Sequence, residues 1–289
     1  MPDNSPKENL SVFDAVVIIV GVVVGVGIFR TPSIVASVSD SGAMLILFWG
    51  LGGLLSCIGA LCYAELTSTY PHCGGDYFFL KKSFGGVLSF LFAWSRMTVI
   101  QTGSIAMIAF LIGDYAAGIF SLGPGTNVIY AVATVATLTF INILGLKQGK
   151  RTQHILVAMI IFGILGAITF SVFLTPAAGD MIAGNVIPAG PALGTAMIFV
   201  LLTYGGWNEA AFISAEVRSK RKNMVKVMLY SIGIITAIYL LVNIALLRGL
   251  GLAAMAESRA VVSDLMETAV GPTGARIITI LILISALST

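Results

Sequence analysis

Charge is scarce in this sequence. Only 10% of its 289 residues are Asp, Glu, Lys or Arg, and 57% are hydrophobic. A soluble domain of that length needs a far larger charged surface, so a soluble globular fold is excluded. Histidine is almost missing too. His72 and His154 both fall at the ends of apolar segments, which leaves no mid-span cluster for a metal centre or a membrane-embedded enzyme. The three cysteines are an odd number without framework spacing, which excludes a disulfide scaffold. A secretory leader is absent as well. "MPDNSPKENLS" is polar, and the apolar run after it has no cleavage site of small residues, so that run is kept as a membrane helix.

What the sequence does have is long apolar runs, with a mean hydropathy of +1.00. The runs predict an all-α polytopic membrane protein. They cover residues 12–38, 43–70, 86–120, 127–146, 153–175, 192–217 and 224–250. A short amphipathic stretch follows, and an eighth run opens near Gly274. That run is still apolar at Thr289, short of the ~20 residues a spanning helix needs. The reading is therefore a chain cut within its eighth helix. Lys and Arg set the orientation. With the N-terminus in the cytoplasm, eleven of them fall inside and three (Arg248, Arg259 and Arg276) outside, with Arg30 and Arg96 within spans. The expected location is the cytoplasmic (inner) membrane, multi-pass, with the lipid bilayer as partner and no nucleic acid.

Two runs are interrupted. The first contains "VVVGVGIFRTP", Val22 to Pro32, and the sixth contains "LLTYGGWNEAAF" around Gly205-Gly206. Each glycine pair sits about a third to halfway along its span. Each also lies in the first helix of a possible five-helix unit. An odd number of helices per unit reverses the second unit's topology, which is the pattern of an inverted-repeat transporter with discontinuous helices. Unwinding exposes N–H and C=O groups that lipid cannot satisfy, so they must face a cavity or a ligand. The half-helix starting at Ile28 presents N–H groups and a positive dipole end, suited to a carboxylate. The half-helix ending near Tyr204 presents carbonyls suited to an ammonium. Facing breaks of this kind suit the head group of a free α-amino acid.

The motifs resemble a known family. "GVGIF", "YAELTSTYPHCGGDYFFLKKSFG" and "YGGWNEAAFISAEV" are similar to the amino acid–polyamine–organocation (APC) transporters. The likeness is closest to the L-type amino acid transporter branch and its bacterial relatives. The resemblance implies the leucine-transporter fold, a 5+5 inverted repeat. On that reading residues 1–11 are a cytoplasmic segment, 12–175 the first repeat, 176–190 an extracellular loop and 191–289 an incomplete second repeat. It implies that the backbone of Gly25, Val26, Gly27 and Ile28 takes the substrate carboxylate. The carbonyls of Leu202, Thr203 and Gly205 would take the amine, with Asn208 beside them. Leu202 stands where relatives often carry an aromatic gate. Trp207 is expected to brace the second break. The resemblance also implies a secondary transporter of amino acids, neutral ones first, with cationic amino acids or polyamines as the alternative. Animal L-type transporters join a heavy chain through a cysteine in the loop after helix three. "SLGPGTN" has none, so no disulfide-linked heavy chain is expected.

A charge in mid-bilayer costs roughly 2.5–3.5 kcal/mol on insertion scales and needs an account. Glu209, just after the second break, is either favoured by a helix N-terminus or is a proton or cation contact. Arg30 is placed at the wrong helix end for a cation and needs an acidic partner, a route to the surface or a gating role. Arg96 is read as reaching the inner surface, and Glu65 and Glu216 as pairing with loop cations. Side-chain selectivity is placed around Gln101 to Ser104. No organic cofactor is expected, and the carrier is read as either a symporter coupled to sodium or a proton or an exchanger. Relatives often carry a lysine in helix five, where this chain has Ile160. "SALST" instead resembles the sodium site of the leucine-transporter fold, with Ser285, Ser288 and Thr289 joining the carbonyls of Gly21 and Val24.

Overall fold

The computed structural model describes residues 10–25, 27–143, 150–174, 190–217 and 220–288. The first apolar run is two helices, α1 (Val12–Val23) and α2 (Gly27–Ser37), inclined by 51°. Ser11 and Asp14 start α1 with a reciprocal cap: the Asp14 N–H donates to Ser11 Oγ (3.2 Å) and the Ser11 N–H to Asp14 Oδ2 (3.1 Å). Pro32 lies inside α2, where it lacks the N–H that would bond the preceding turn.

The following helices are α3 (Gly42–Thr69), α4 (Gly75–Phe84), α5 (Gly86–Ser95), α6 (Gln101–Ile119), α7 (Thr126–Ile143) and α8 (Lys150–Leu174). Between α5 and α6 a π turn, Arg96–Ile100, interrupts a third span that the sequence reads as continuous. The sixth run divides into α9 (Gly190–Tyr204), a 3₁₀ turn (Trp207–Glu209) and α10 (Ala210–Ile213). The long α11 (Lys220–Glu257) bends at Gly251, whose φ of 78° is left-handed. The seventh span therefore stops at Leu250, as its hydropathy predicts. The amphipathic α12 (Val261–Val270) buries Val261, Val262, Leu265 and Met266, and α13 (Pro272–Ser288) follows.

Among the described residues, four helices are long and apolar enough to cross a membrane, and a fifth span is counted if α1 and α2 are joined. Large apolar side chains such as Phe90, Val132, Phe162 and Phe173 stand outward, as a lipid-facing surface requires. The chain is an integral multi-pass membrane protein. The expected loop at 176–190 lies almost wholly outside the described residues.

The core forms around α3, which packs on α9 and α11. Glycines on α3 permit the close approach. A β-carbon on Gly53 would sit 2.6 Å from Thr236 of α11, and one on Gly52 would collide with Val200 and Tyr204 of α9. Trp49, Tyr204 and Tyr239 meet there, with ring centroids 4.9–6.1 Å apart. This cluster joins α3, α9 and α11.

Candidate functional site

Both breaks open onto one cavity of about 700 Å³. Its wall includes Gly25, Gly27, Leu202, Thr203 and Gly205 from the breaks, and Gln101 and Ser104 from α6. The chain leaves α1 at Val24 (φ −76°, ψ 70°) and re-enters a helix at Gly27. By helix geometry the first N–H groups of α2 have no partner within it. The second break turns at Gly206, with φ 107° and so in the left-handed region open to glycine. Val26 lies outside the described residues.

The breaks touch. A β-carbon on Gly27 would lie 3.0 Å from Thr203 Cγ2 and 3.4 Å from its Cα. Thr203 Oγ1 donates to the Phe199 carbonyl (2.9 Å) and stands 2.6 Å from Thr31 Oγ1, which ties α2 to α9. The deeply buried Tyr239 of α11 completes the joint. Its hydroxyl lies 2.8 Å from the Val23 carbonyl and 3.0 Å from that of Thr203. One phenolic proton is thus shared between the last turns of both half-helices. Sequence reasoning missed Tyr239. A tyrosine in an apolar run carries no mark of which backbone it will reach.

The carbonyls assigned to the amine are not bare. Leu202 O accepts from the Gly205 N–H (3.1 Å), and Thr203 O faces Tyr239. Each carbonyl keeps a second lone pair. Leu202 itself is 59% exposed on the cavity wall.

Past the second break, Trp207 packs edge-on against Tyr63 (5.2 Å) and over Gly59 of α3. The Asn208 amide donates to Asp76 Oδ2 (3.3 Å), and the residue lines the same cavity as the two breaks. Arg96 does not run to the surface as the sequence suggested. Its guanidinium pairs with Glu209, lies 3.7 Å from Asp76 and covers the Phe212 ring. The reason is tertiary. Gly75 (φ 46°) is pressed against Phe212 of α10, where a β-carbon would sit 2.8 Å from the ring, and this sets Asp76 facing Arg96. Glu65 and Glu216, expected to pair with loop cations, have no described cation within ion-pair distance.

Arg30 lines the opposite end of the cavity, with Asp114 and Arg259. It finds no acidic partner among the described residues and donates instead to the Arg259 carbonyl (2.8 Å), tying α2 to the turn before α12. Of the expected sodium ligands, Gly21 and Val24 lie on the last turn of α1 and just past it. The side chains of Ser285 and Ser288, and all of Thr289, lie outside the described residues. Cys57, Cys62 and Cys73 are free thiols.

Comparison with known proteins bears on this arrangement. The profile of a family described as Amino acid permease matches residues 10–289. The b(0,+)-type amino acid transporter 1 of Oryctolagus cuniculus is 30% identical over 252 residues, which cover 83% of this chain and 51% of the relative. The serine/threonine exchanger SteT of Bacillus subtilis is 29% identical over 248 residues, covering 85% and 56%. The Asc-type amino acid transporter 1 of Homo sapiens is 28% identical over 278 residues, covering 92% and 53%. The chain spans about half the length of the curated relatives it matches.

Proposed function

The chain belongs to the amino acid permease family, and on that premise we propose that it is a secondary transporter of amino acids working by alternating access. The observation that carries the reading is the contact of two helix breaks, at Gly27 and Thr203, on the wall of a single cavity. A zwitterionic head group suits it: carboxylate at the α2 N-terminus, ammonium at the carbonyls that end α9. Neutral amino acids are preferred over cationic ones or polyamines, because the carboxylate nearest the breaks, Glu209, is already paired with Arg96. Two further features belong to this proposal: the leucine-transporter fold with its inverted repeat, and insertion in the cytoplasmic membrane with the N-terminus inside.

Sodium is the proposed coupling ion, held by the carbonyls of Gly21 and Val24 and the oxygens of Ser285, Ser288 and Thr289. The backbone turn at Val24 aims its carbonyl off the helix axis, which such a ligand requires. Arg30 is proposed to gate the far end of the cavity through its bond to the Arg259 carbonyl.

Uptake of labelled L-serine, L-leucine and L-lysine into proteoliposomes, with and without a counter-substrate inside, tests the function. Saturable uptake of L-serine or L-leucine is expected. No flux of any of the three overturns it.

A further inference from the structure

At the α4 end of the cavity, Asp76, Glu209 and Arg96 carry two negative charges and one positive. They come from three separate elements: the first turn of α4, the 3₁₀ turn after the second break, and the start of the π turn. All three line the cavity. Asp76 is the unusual member. Its side chain is only 7% exposed, and Oδ2 is shared between Arg96 and Asn208. Oδ1 has no hydrogen-bond partner. The Tyr63 hydroxyl stands beside this carboxylate as a neutral donor. A buried carboxylate that shares its nearby cation with a second carboxylate favours a further cationic donor.

We propose that Arg96, Glu209 and Asp76 form a second head-group subsite for a zwitterionic α-amino acid, beyond the one at the helix breaks. The proposal rests on the transport function above. Without ligand the subsite closes on itself through the Arg96–Glu209 pair. The ligand's ammonium takes the place of Arg96 beside Glu209 and reaches Asp76 Oδ1, while its carboxylate takes the guanidinium. Every charge then keeps an opposite partner. A lone carboxylate would take the guanidinium and leave Glu209 and Asp76 both without a cation, whereas an ammonium on Glu209 leaves Arg96 to Asp76, 3.7 Å away. Leaving the buried Asp76 without a cation is unfavourable. Opening of this end is thereby tied to a ligand that brings an ammonium group. The π turn at Arg96 fits such a role, since single π turns inside helices recur at functional sites.

A cysteine reporter tests this. Ser104→Cys is placed in protein whose Cys57, Cys62 and Cys73 are replaced by alanine. The protein is reconstituted and labelled from the α4 side with a charged thiol reagent. L-serine is expected to speed labelling about tenfold, the effect of a moderate shift between two states, while propionate leaves it unchanged. Arg96→Met combined with Glu209→Leu, and Glu209→Gln alone, are expected to label at the faster rate without ligand. Asp76→Asn is expected to need about tenfold more L-serine. Unchanged labelling in both open variants overturns the subsite, as does propionate acting as well as L-serine. Intact L-serine transport with labelling that L-serine never changes overturns the subsite alone. Absence of all amino acid flux overturns the transport function, and the subsite with it.

Discussion

Gly27 and Thr203, 176 positions apart, meet where two helices break, with 3.0 Å between Thr203 Cγ2 and the place a Gly27 β-carbon would take. A larger residue at either position pushes the breaks apart. Gly27→Val is therefore expected to abolish L-serine binding while membrane insertion is kept. Binding in detergent by scintillation proximity checks it, and unchanged affinity refutes the site assignment.

Tyr239 supplies one hydroxyl to two carbonyls, those of Val23 and Thr203. Tyr239→Phe keeps the ring packing on Trp49 and Tyr204 and removes only the hydroxyl. Leaving buried acceptors without a donor costs about 1–3 kcal/mol. The expected outcome is a lower thermal unfolding midpoint and a transport rate down about tenfold, since 1.4 kcal/mol is a factor of ten. Wild-type values for both show that the joint is not needed.

Gly53 faces Thr236 too closely for any side chain to fit without movement. Gly53→Leu is expected to destabilise by about 1–3 kcal/mol, the usual cost of overpacking. Gly50, with open space around it, is the control: Gly50→Leu should leave the midpoint unchanged. Fluorescence-detected thermal melts distinguish the two.

Orientation is tested by single cysteines in a cysteine-free background. Those at Lys150 and Lys220 should react only from the cytoplasmic side, and one at Ser121 only from outside. The reverse pattern overturns the topology.

Sodium coupling predicts that transport rises with external sodium. Ser288→Ala with Thr289→Ala should remove that dependence. Equal flux in sodium and in choline buffers sinks it and leaves proton coupling or uncoupled exchange.

The helices were legible because membrane insertion is written in local composition. Apolar runs, polar loops and the stop at Gly251 depend on neighbours in sequence, and the backbone must form helices wherever water is missing. The broken spans were legible for the same reason: Gly25, Gly27, Gly205 and Gly206 weaken a helix wherever they stand. What those breaks contact was not legible. Tyr239 reaching the carbonyls of Val23 and Thr203, and Arg96 turning to Glu209 and Asp76, depend on partners carried by other helices and turns, 216 positions away for Val23 and 113 for Glu209. A side chain in a low-dielectric interior takes whichever partner the packing brings within about 3–4 Å, because electrostatic attraction there is strong and geometry alone decides who is close. Composition determined that this chain crosses a membrane and where its helices break. Only the tertiary structure decided which groups those breaks bring together.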